Sequence, residues 1–218
     1  MIKKFLTLFF SFAILSLCGC KETDLYVKKV SQLRLDVLEY ACEEFSLTAH
    51  VEAVESPIAN DGIVGKSENV ILFKLKSLKP NTNLEDSLVT FSIGENTYTK
   101  PFEFKQITSL LTCSFTVDTL PSTDLLVKLT VNGKEEEITL SSLKNKSTKD
   151  WTKAIDKLLC EEENLNLINS ENVELRIRFI DNDGYDYWYV GIIFKDKIYS
   201  FLLDGETLEI IAKKEDVK

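Results

Sequence analysis

Apolar and polar residues alternate along most of the chain, first from Val30 to Leu143 and again after Val173. A period of two places every second side chain on one face, which is typical of half-buried β-strands. In the first region turn-forming residues separate the alternating sets, and Asn132-Gly133 predicts a tight hairpin of type I′. About seven short strands without an amphipathic helix are typical of an antiparallel β-sandwich. We therefore predict an immunoglobulin-like β-sandwich over residues 30–143.

A helical period follows this region. Trp151, Ile155 and Leu158 recur at helical spacing and the polar residues before them supply an N-cap, so we predict a helix over about residues 148–161. The stretch rich in Glu and Asn after it, residues 161–170, is predicted to end the regular structure.

The last part of the chain returns to an alternating pattern with turns such as Asp183-Gly184, which predicts an antiparallel meander. A helix before such a meander forms a small α+β unit, here residues 147–218, in which the helix covers one sheet face. The predicted fold class is mainly β with α+β: an N-terminal antiparallel β-sandwich followed by a small helix-plus-antiparallel-sheet domain.

The amino terminus has a different composition. Its first twenty residues contain no acidic residue, and Lys3 and Lys4 precede an uncharged run from Phe5 to Leu17. A helix of that length would be about 20 Å long, shorter than the ~30 Å hydrocarbon core of a bilayer. The pattern predicts an export signal that is removed, and not a membrane-spanning helix.

Leu17-Cys18-Gly19-Cys20 resembles the lipobox of bacterial lipoproteins, in which an aliphatic and two small residues precede the lipidated cysteine. The resemblance implies that a signal peptidase recognises Leu17, Cys18 and Gly19, and that Cys20 receives a diacylglycerol. The alternative is a conventional secretory peptide with an incidental cysteine. Two acyl chains are enough for stable anchoring, so we expect the chain on the cell membrane or outer membrane, outside the cytoplasm. The predicted divisions are a signal peptide at 1–19, a lipidated tether at 20–29 and the units at 30–143 and 147–218.

Charge and composition narrow the function classes. The chain is 44% hydrophobic and 28% charged, which is globular composition. It has 26 basic and 35 acidic residues, and loss of Lys3 and Lys4 with the signal peptide would change the net charge from −9 to −11. Such an acidic body repels phosphate backbones, so nucleic acid is not an expected partner. It is repelled by anionic membranes too, so the lipid must hold it there.

The carboxyl-terminal unit resembles PepSY domains. Asp204, Thr207, Glu209 and Ile210 match the spacing of the Asp-x-x-Thr-Gly-Glu-Ile turn of that family, and Leu208 stands where the family has Gly. With the helix before it, the resemblance spans about a third of the chain. The family occurs in exported and membrane-bound bacterial proteins and is linked to inhibition or regulation of peptidases. The resemblance implies a binding role and a peptidase as a candidate partner, and it carries no catalytic residue.

Few residues offer catalytic or metal-binding chemistry. His50 is the only histidine, and its place in an alternating strand predicts a solvent-facing side chain opposite the apolar face. Asp181 to Asp186 is acidic, but Gly184 comes too early for a calcium loop of the EF-hand type and a hairpin turn explains it. No nucleophile–base pair, phosphate loop or metal cluster is evident. We therefore predict no enzymatic activity, no metal and no cofactor.

The three remaining cysteines, Cys42, Cys113 and Cys160, form no C-x-x-C pair. A disulfide between Cys42 and Cys113 is possible in an exported chain. The alternative, which we favour, is that all three are free and buried as small hydrophobic residues.

Tyr185, Tyr187 and Tyr189 share one face of a predicted strand, with Trp188 on the other face. The tyrosines either pack across strands or form a contact surface for a peptide, a glycan or a partner protein. The sequence as a whole predicts a lipid-anchored, non-catalytic protein that binds or regulates an envelope protein partner. A surface lipoprotein that binds a small ligand or glycan is the alternative.

Overall fold

The computed structural model describes residues 26–57, 63–80, 84, 86–160 and 162–217. The predicted signal peptide, Leu17, Cys18, Gly19 and Cys20 lie outside these residues. Within them the chain is mainly β, as predicted, with thirteen strands and two helices, and neither helix is long and apolar enough to cross a membrane. The strands are β1 (Val30–Ala41), β2 (Phe45–Glu55), β3 (Ser67–Ser77), β4 (Leu88–Ile93), β5 (Asn96–Pro101), β6 (Glu103–Lys105), β7 (Leu110–Val117), β8 (Leu125–Val131), β9 (Lys134–Ser142), β10 (Val173–Asn182), β11 (Tyr185–Phe194), β12 (Lys197–Asp204) and β13 (Ile210–Val217). The helices α1 (Trp151–Leu158) and α2 (Glu162–Asn169) lie between β9 and β10.

The strands pair almost entirely in antiparallel fashion. The main path is β13-β12-β11-β10-β1-β2-β3-β7-β6, and β9 links β1 to a branch in which β8, β4 and β5 follow. Strand β5, which ends this branch, runs directly into β6, which ends the main path. Because the two ends are joined in this way, the strands from β1 to β9 curl towards a barrel.

Strand β1 joins the two predicted units in one sheet. Its first half, from Val30 to Arg34, pairs with β10, and this is a parallel pair. Leu38 and Glu39 pair with β9, while β2 occupies the other edge along most of the strand. A bulge between Arg34 and Asp36 accompanies the change of partner.

Two hydrophobic cores form on the same face of this sheet. Ile177, Leu33 and Ala53 are register partners on adjacent strands, and Val51 lies on that face of β2 as well. The first core packs this face against β4, β8 and β9 around the rings of Phe73, Phe91 and Phe115. The second core packs it against α1 and α2 around Phe179 and Trp188, whose rings meet edge to face at 5.7 Å.

The predicted helix is present but shorter. It begins at Trp151 because Asp150 is its N-cap, with the carboxylate accepting a hydrogen bond from the amide of Thr152 at 2.9 Å. The prediction that the next stretch is irregular is wrong, because α2 forms there. Its Ile168 is fully buried in the second core, and packing outweighs the low helix propensity of the asparagines.

Several turns use the left-handed backbone region, and two of them bear on the sequence predictions. Asn132 and Gly133 have φ of 51° and 73°, which confirms the predicted type I′ hairpin between β8 and β9. Leu208, in the turn between β12 and β13, has φ of 62°, a conformation in which glycine is favoured.

Candidate functional site

The sheet face opposite the two cores carries a connected set of polar side chains near its centre. We call Gln32, Arg34, His50, Glu52, Lys74 and Arg178 the polar cluster. They come from the four adjacent strands β10, β1, β2 and β3. Strand alternation places His50, Lys74 and Arg178 each between two core residues, as Lys74 lies between buried Phe73 and Leu75. None of the six belongs to either hydrophobic core.

Hydrogen bonds connect the cluster across the strands. Arg178 donates from Nε and Nη2 to the side-chain oxygen of Gln32, at 2.9 and 2.7 Å. Gln32 donates from Nε2 to one oxygen of Glu52 at 2.8 Å, and Arg34 donates from Nε to the other at 2.6 Å. A side chain held by neighbours on both sides keeps one orientation, so the cluster is preorganised.

His50 extends the network to β3. Its Nδ1 lies 3.3 Å from a carboxylate oxygen of Glu52, and Lys74 Nζ lies 3.4 Å from its Nε2. His50 lies on the predicted face, opposite Ala49 and Val51, but the prediction that it faces solvent is wrong, because only 12% of its side chain is exposed. Burial lowers the pKa of His50, and the nearby charges of Arg34 and Lys74 lower it further, although Glu52 opposes them. The imidazole is therefore neutral at pH 7, and its Nε2 can accept a hydrogen bond from the ammonium group.

Glu52 is the negative centre of the cluster. Only 7% of its side chain is exposed, and burial alone would raise its pKa. The contacts with His50, Arg34 and Gln32 outweigh burial and lower the pKa of Glu52 to about 2. The carboxylate is thus fixed in its charged form.

Positive charge exceeds negative charge in the polar cluster. Glu52 forms its ion pair with Arg34, whereas among the described residues no carboxylate lies within ion-pair distance of Arg178 or Lys74. Both cations are half-buried, and burial lowers the pKa of both. Two cations without a paired carboxylate are unusual in so acidic a chain.

A cleft of about 420 Å³ opens beside Arg34 and Glu52. Its walls include the apolar side chains of Val54, Val70 and Leu72. Glu55 and Glu68 also line it, so acidic groups accompany the cationic cluster.

The predicted tyrosine surface continues the polar cluster. Tyr189 is the register partner of Arg178, and its ring lies 5.6 Å from the guanidinium carbon. Its hydroxyl is 3.1 Å from that of Ser200, Tyr187 is half-buried, and Tyr185 is 69% exposed. Trp188 points to the other face, where it is fully buried and donates from Nε1 to the carbonyl of Lys149 at 2.9 Å.

The other candidate residues lie elsewhere. All three cysteines are free: Cys113 is buried, Cys42 is half-buried and Cys160 is exposed, so the expectation that all three are buried is wrong. Asp181 caps its own turn by accepting from the amide of Gly184 at 3.1 Å. Among the residues that the structure describes, no group of three carboxylate, thiolate or imidazole ligands could hold a metal.

The turn that resembles PepSY domains is built around Asp204. One carboxylate oxygen accepts from the amides of Glu206 and Thr207, at 3.0 and 2.7 Å, and from the hydroxyl of Thr207 at 3.0 Å. The positive φ of Leu208 follows directly after this capped turn. Asp204 and Thr207 therefore fix the conformation of the turn, and they offer no reactive group.

Comparison with known proteins adds nothing to this geometry. The chain matches no protein-family model, no curated protein and no solved structure.

Proposed function

We propose that this is a lipid-anchored, non-catalytic protein of the cell envelope that binds a protein partner through the sheet face carrying the polar cluster. The observation that supports the proposal is the position of the cluster. Polar and charged side chains from four adjacent strands are held in fixed orientations on the face that neither core uses. A preorganised surface loses little conformational entropy when a partner binds.

The location rests on the amino-terminal sequence. The lipobox-like Leu17-Cys18-Gly19-Cys20 supports attachment of diacylglycerol to Cys20 and exposure of the chain outside the cytoplasm. Attachment through this lipid would leave the sheet face with the polar cluster available to a partner.

The surroundings of His50 support binding in preference to catalysis. Its two ring nitrogens face Glu52 and Lys74, and a nucleophilic triad would need a hydroxyl or thiol at one of them. A neutral imidazole between a carboxylate and an ammonium serves to connect the two charges.

The carboxyl-terminal unit supports a regulatory role by its resemblance to PepSY domains. Leu208 has φ of 62°, a conformation that glycine adopts readily, and this supports the resemblance at the position where the residue differs from the family motif. We propose accordingly that residues 147–218 form a PepSY-like helix-plus-sheet module, and that an envelope peptidase is a candidate partner. We further propose that residues 30–143 form an antiparallel β-sandwich of immunoglobulin-like kind.

A small-ligand or glycan-binding role is the second candidate. The cleft of about 420 Å³ favours it, since small-molecule sites occupy roughly 300–1,000 Å³.

Affinity capture tests the proposed function. The tagged full chain is captured from detergent-solubilised envelope as wild type, as Leu72→Glu on the polar-cluster face, and as Leu126→Glu on β8. Both substitutions introduce the same charge, but Leu126 is an exposed residue outside the cleft. We expect one envelope protein to be retained by the wild type and by Leu126→Glu, and to be lost with Leu72→Glu. Retention of no envelope protein, together with a sugar or other small solute that raises Tm, would favour the second candidate.

A further inference from the structure

We propose that Arg178 and Arg34 form a binding site for a single carboxylate, presented by an acidic side chain or the carboxyl terminus of a peptide segment. This inference rests on the proposed function, because it names the chemical group of the partner that the polar cluster would recognise.

The two guanidinium groups are neighbours. Arg178 and Arg34 are register partners on the parallel pair β10 and β1, so their side chains leave the sheet side by side on the same face. Burial lowers the pKa of Arg178, and the nearby charge of Arg34 lowers it further. Two like charges side by side repel each other, and an anion bound between them would relieve that repulsion.

Both arginines have donors that the described residues leave unused. Arg34 bonds through Nε to Glu52, and Arg178 bonds through Nε and Nη2 to the neutral oxygen of Gln32. Each arginine has five N–H donors, so each retains N–H groups for a further acceptor. The planar guanidinium is suited to two-oxygen acceptors such as a carboxylate.

Gln32 and Glu52 orient the two arginines. The oxygen of Gln32 accepts from Arg178 while its amide donates to Glu52, which in turn holds Arg34. Glu52 compensates one positive charge, and Lys74 and Arg178 retain theirs. The cluster therefore keeps a net positive charge although the whole chain has −9.

The acidic groups nearby favour a ligand with one negative charge. Glu55 and Glu68 line the same cleft as Arg34, so a phosphate or a run of acidic residues would be repelled there. Arg34 lines this cleft, so the rest of a ligand whose carboxylate binds at the arginines can meet the apolar walls formed by Val54, Val70 and Leu72. The cleft of about 420 Å³ lies within the roughly 300–1,000 Å³ that small-molecule sites occupy.

Calorimetric titration of the full chain in detergent micelles tests this site. The probes are N-acetyl-glutamate methylamide, its glutamine counterpart, inorganic phosphate and galacturonate. The variants are Arg178→Gln, Arg178→Lys and the control Lys214→Gln, which removes an exposed positive charge on β13. Tm and circular dichroism of every variant verify folding.

We expect the glutamate probe to bind the wild type at least tenfold more tightly than the glutamine probe. Arg178→Gln should weaken that binding at least tenfold, Arg178→Lys should weaken it less, and Lys214→Gln should leave it unchanged. Equal binding of the two amino-acid probes would overturn the proposal, as would equal effects of the Arg178 and Lys214 variants. Tighter Arg178-dependent binding of phosphate or galacturonate would also overturn it and would assign the site to that anion.

Affinity capture of the same variants separates this inference from the proposed function. If Arg178→Gln still retains the envelope protein but the glutamate probe does not bind, the carboxylate site is wrong and the partner-binding role stands. If the probe binds but no envelope protein is captured, the partner-binding role is wrong.

Discussion

Replacing Glu52 with Gln should destabilise the protein strongly, because it removes the carboxylate that contacts His50, Arg34 and Gln32 in the polar cluster. The pKa of Glu52 is lowered from 4.5 to about 2 by those contacts. At about 1.4 kcal/mol for each tenfold change in ionisation, this corresponds to about 3 kcal/mol in favour of the charged form. The variant keeps the size of the side chain but leaves Arg34 without its ion-pair partner.

The assay is urea unfolding at pH 7, followed by fluorescence of the tryptophans, of which Trp188 is fully buried. Glu68→Gln is the matched control, since Glu68 lines the same cleft on the neighbouring strand and has no ion pair among the described residues. We expect a loss of about 3 kcal/mol in unfolding free energy for Glu52→Gln and less than about 0.5 kcal/mol for Glu68→Gln. Equal and small losses in the two variants would refute the account of the cluster.

The same experiment as a function of pH tests the sign of the effect. The folded-state pKa of Glu52 lies below its unfolded-state value, so the unfolded chain takes up the proton first. Stability from this group is complete above about pH 4.5 and is lost as the pH falls towards 2. Glu52→Gln should therefore show a much smaller acid-dependent loss over that range than the wild type.

Three further predictions concern other parts of the molecule. Burial raises the pKa of Cys113 to about 12, so iodoacetamide should modify exposed Cys160 in the folded protein and Cys113 only after denaturation. Mass spectrometry that shows modification of Cys113 in the folded protein would contradict this prediction. Gly133→Ala should lower the free energy of unfolding by about 1 kcal/mol, because φ is 73° there and no neighbouring atom crowds the site. Gly133→Asn should lower it less, and equal losses in the two variants would argue against backbone strain. Asp186→Ala should lower the free energy of urea unfolding by roughly 1–3 kcal/mol, because it removes the acceptor for the backbone amide of Asn145 and the hydroxyl of Thr148. An unchanged unfolding midpoint would show that these two hydrogen bonds do not stabilise the fold.

The strands could be predicted because alternation is a local property of the sequence. The hairpin at Asn132-Gly133 was predictable for the same reason, since two adjacent residues determine its backbone. The parallel pairing of β1 with β10 was not predictable in this way, because its partners are more than a hundred residues apart. Alternation shows which face a side chain joins but does not show which strand lies beside it.

The site was missed for a related reason. In the sequence, Arg34 and Arg178 are polar residues of two separate strands. The register of β1 with β10 places them side by side. The contact of His50 with Lys74 likewise depends on which strand lies beside β2. The helix α2 was missed because Asn-rich sequence has low helix propensity, while burial of Ile168 stabilises it in the folded chain.

Site-specific photo-crosslinking in intact cells tests the central claim, that the face with the polar cluster binds an envelope protein. A benzophenone side chain is placed either at Tyr187, on that face, or at Lys153, exposed on α1 on the opposite side of the sheet. We predict a discrete crosslinked protein of the envelope from position 187 and none from position 153. Crosslinks of equal yield from both positions, or crosslinks from position 153 alone, would contradict the account.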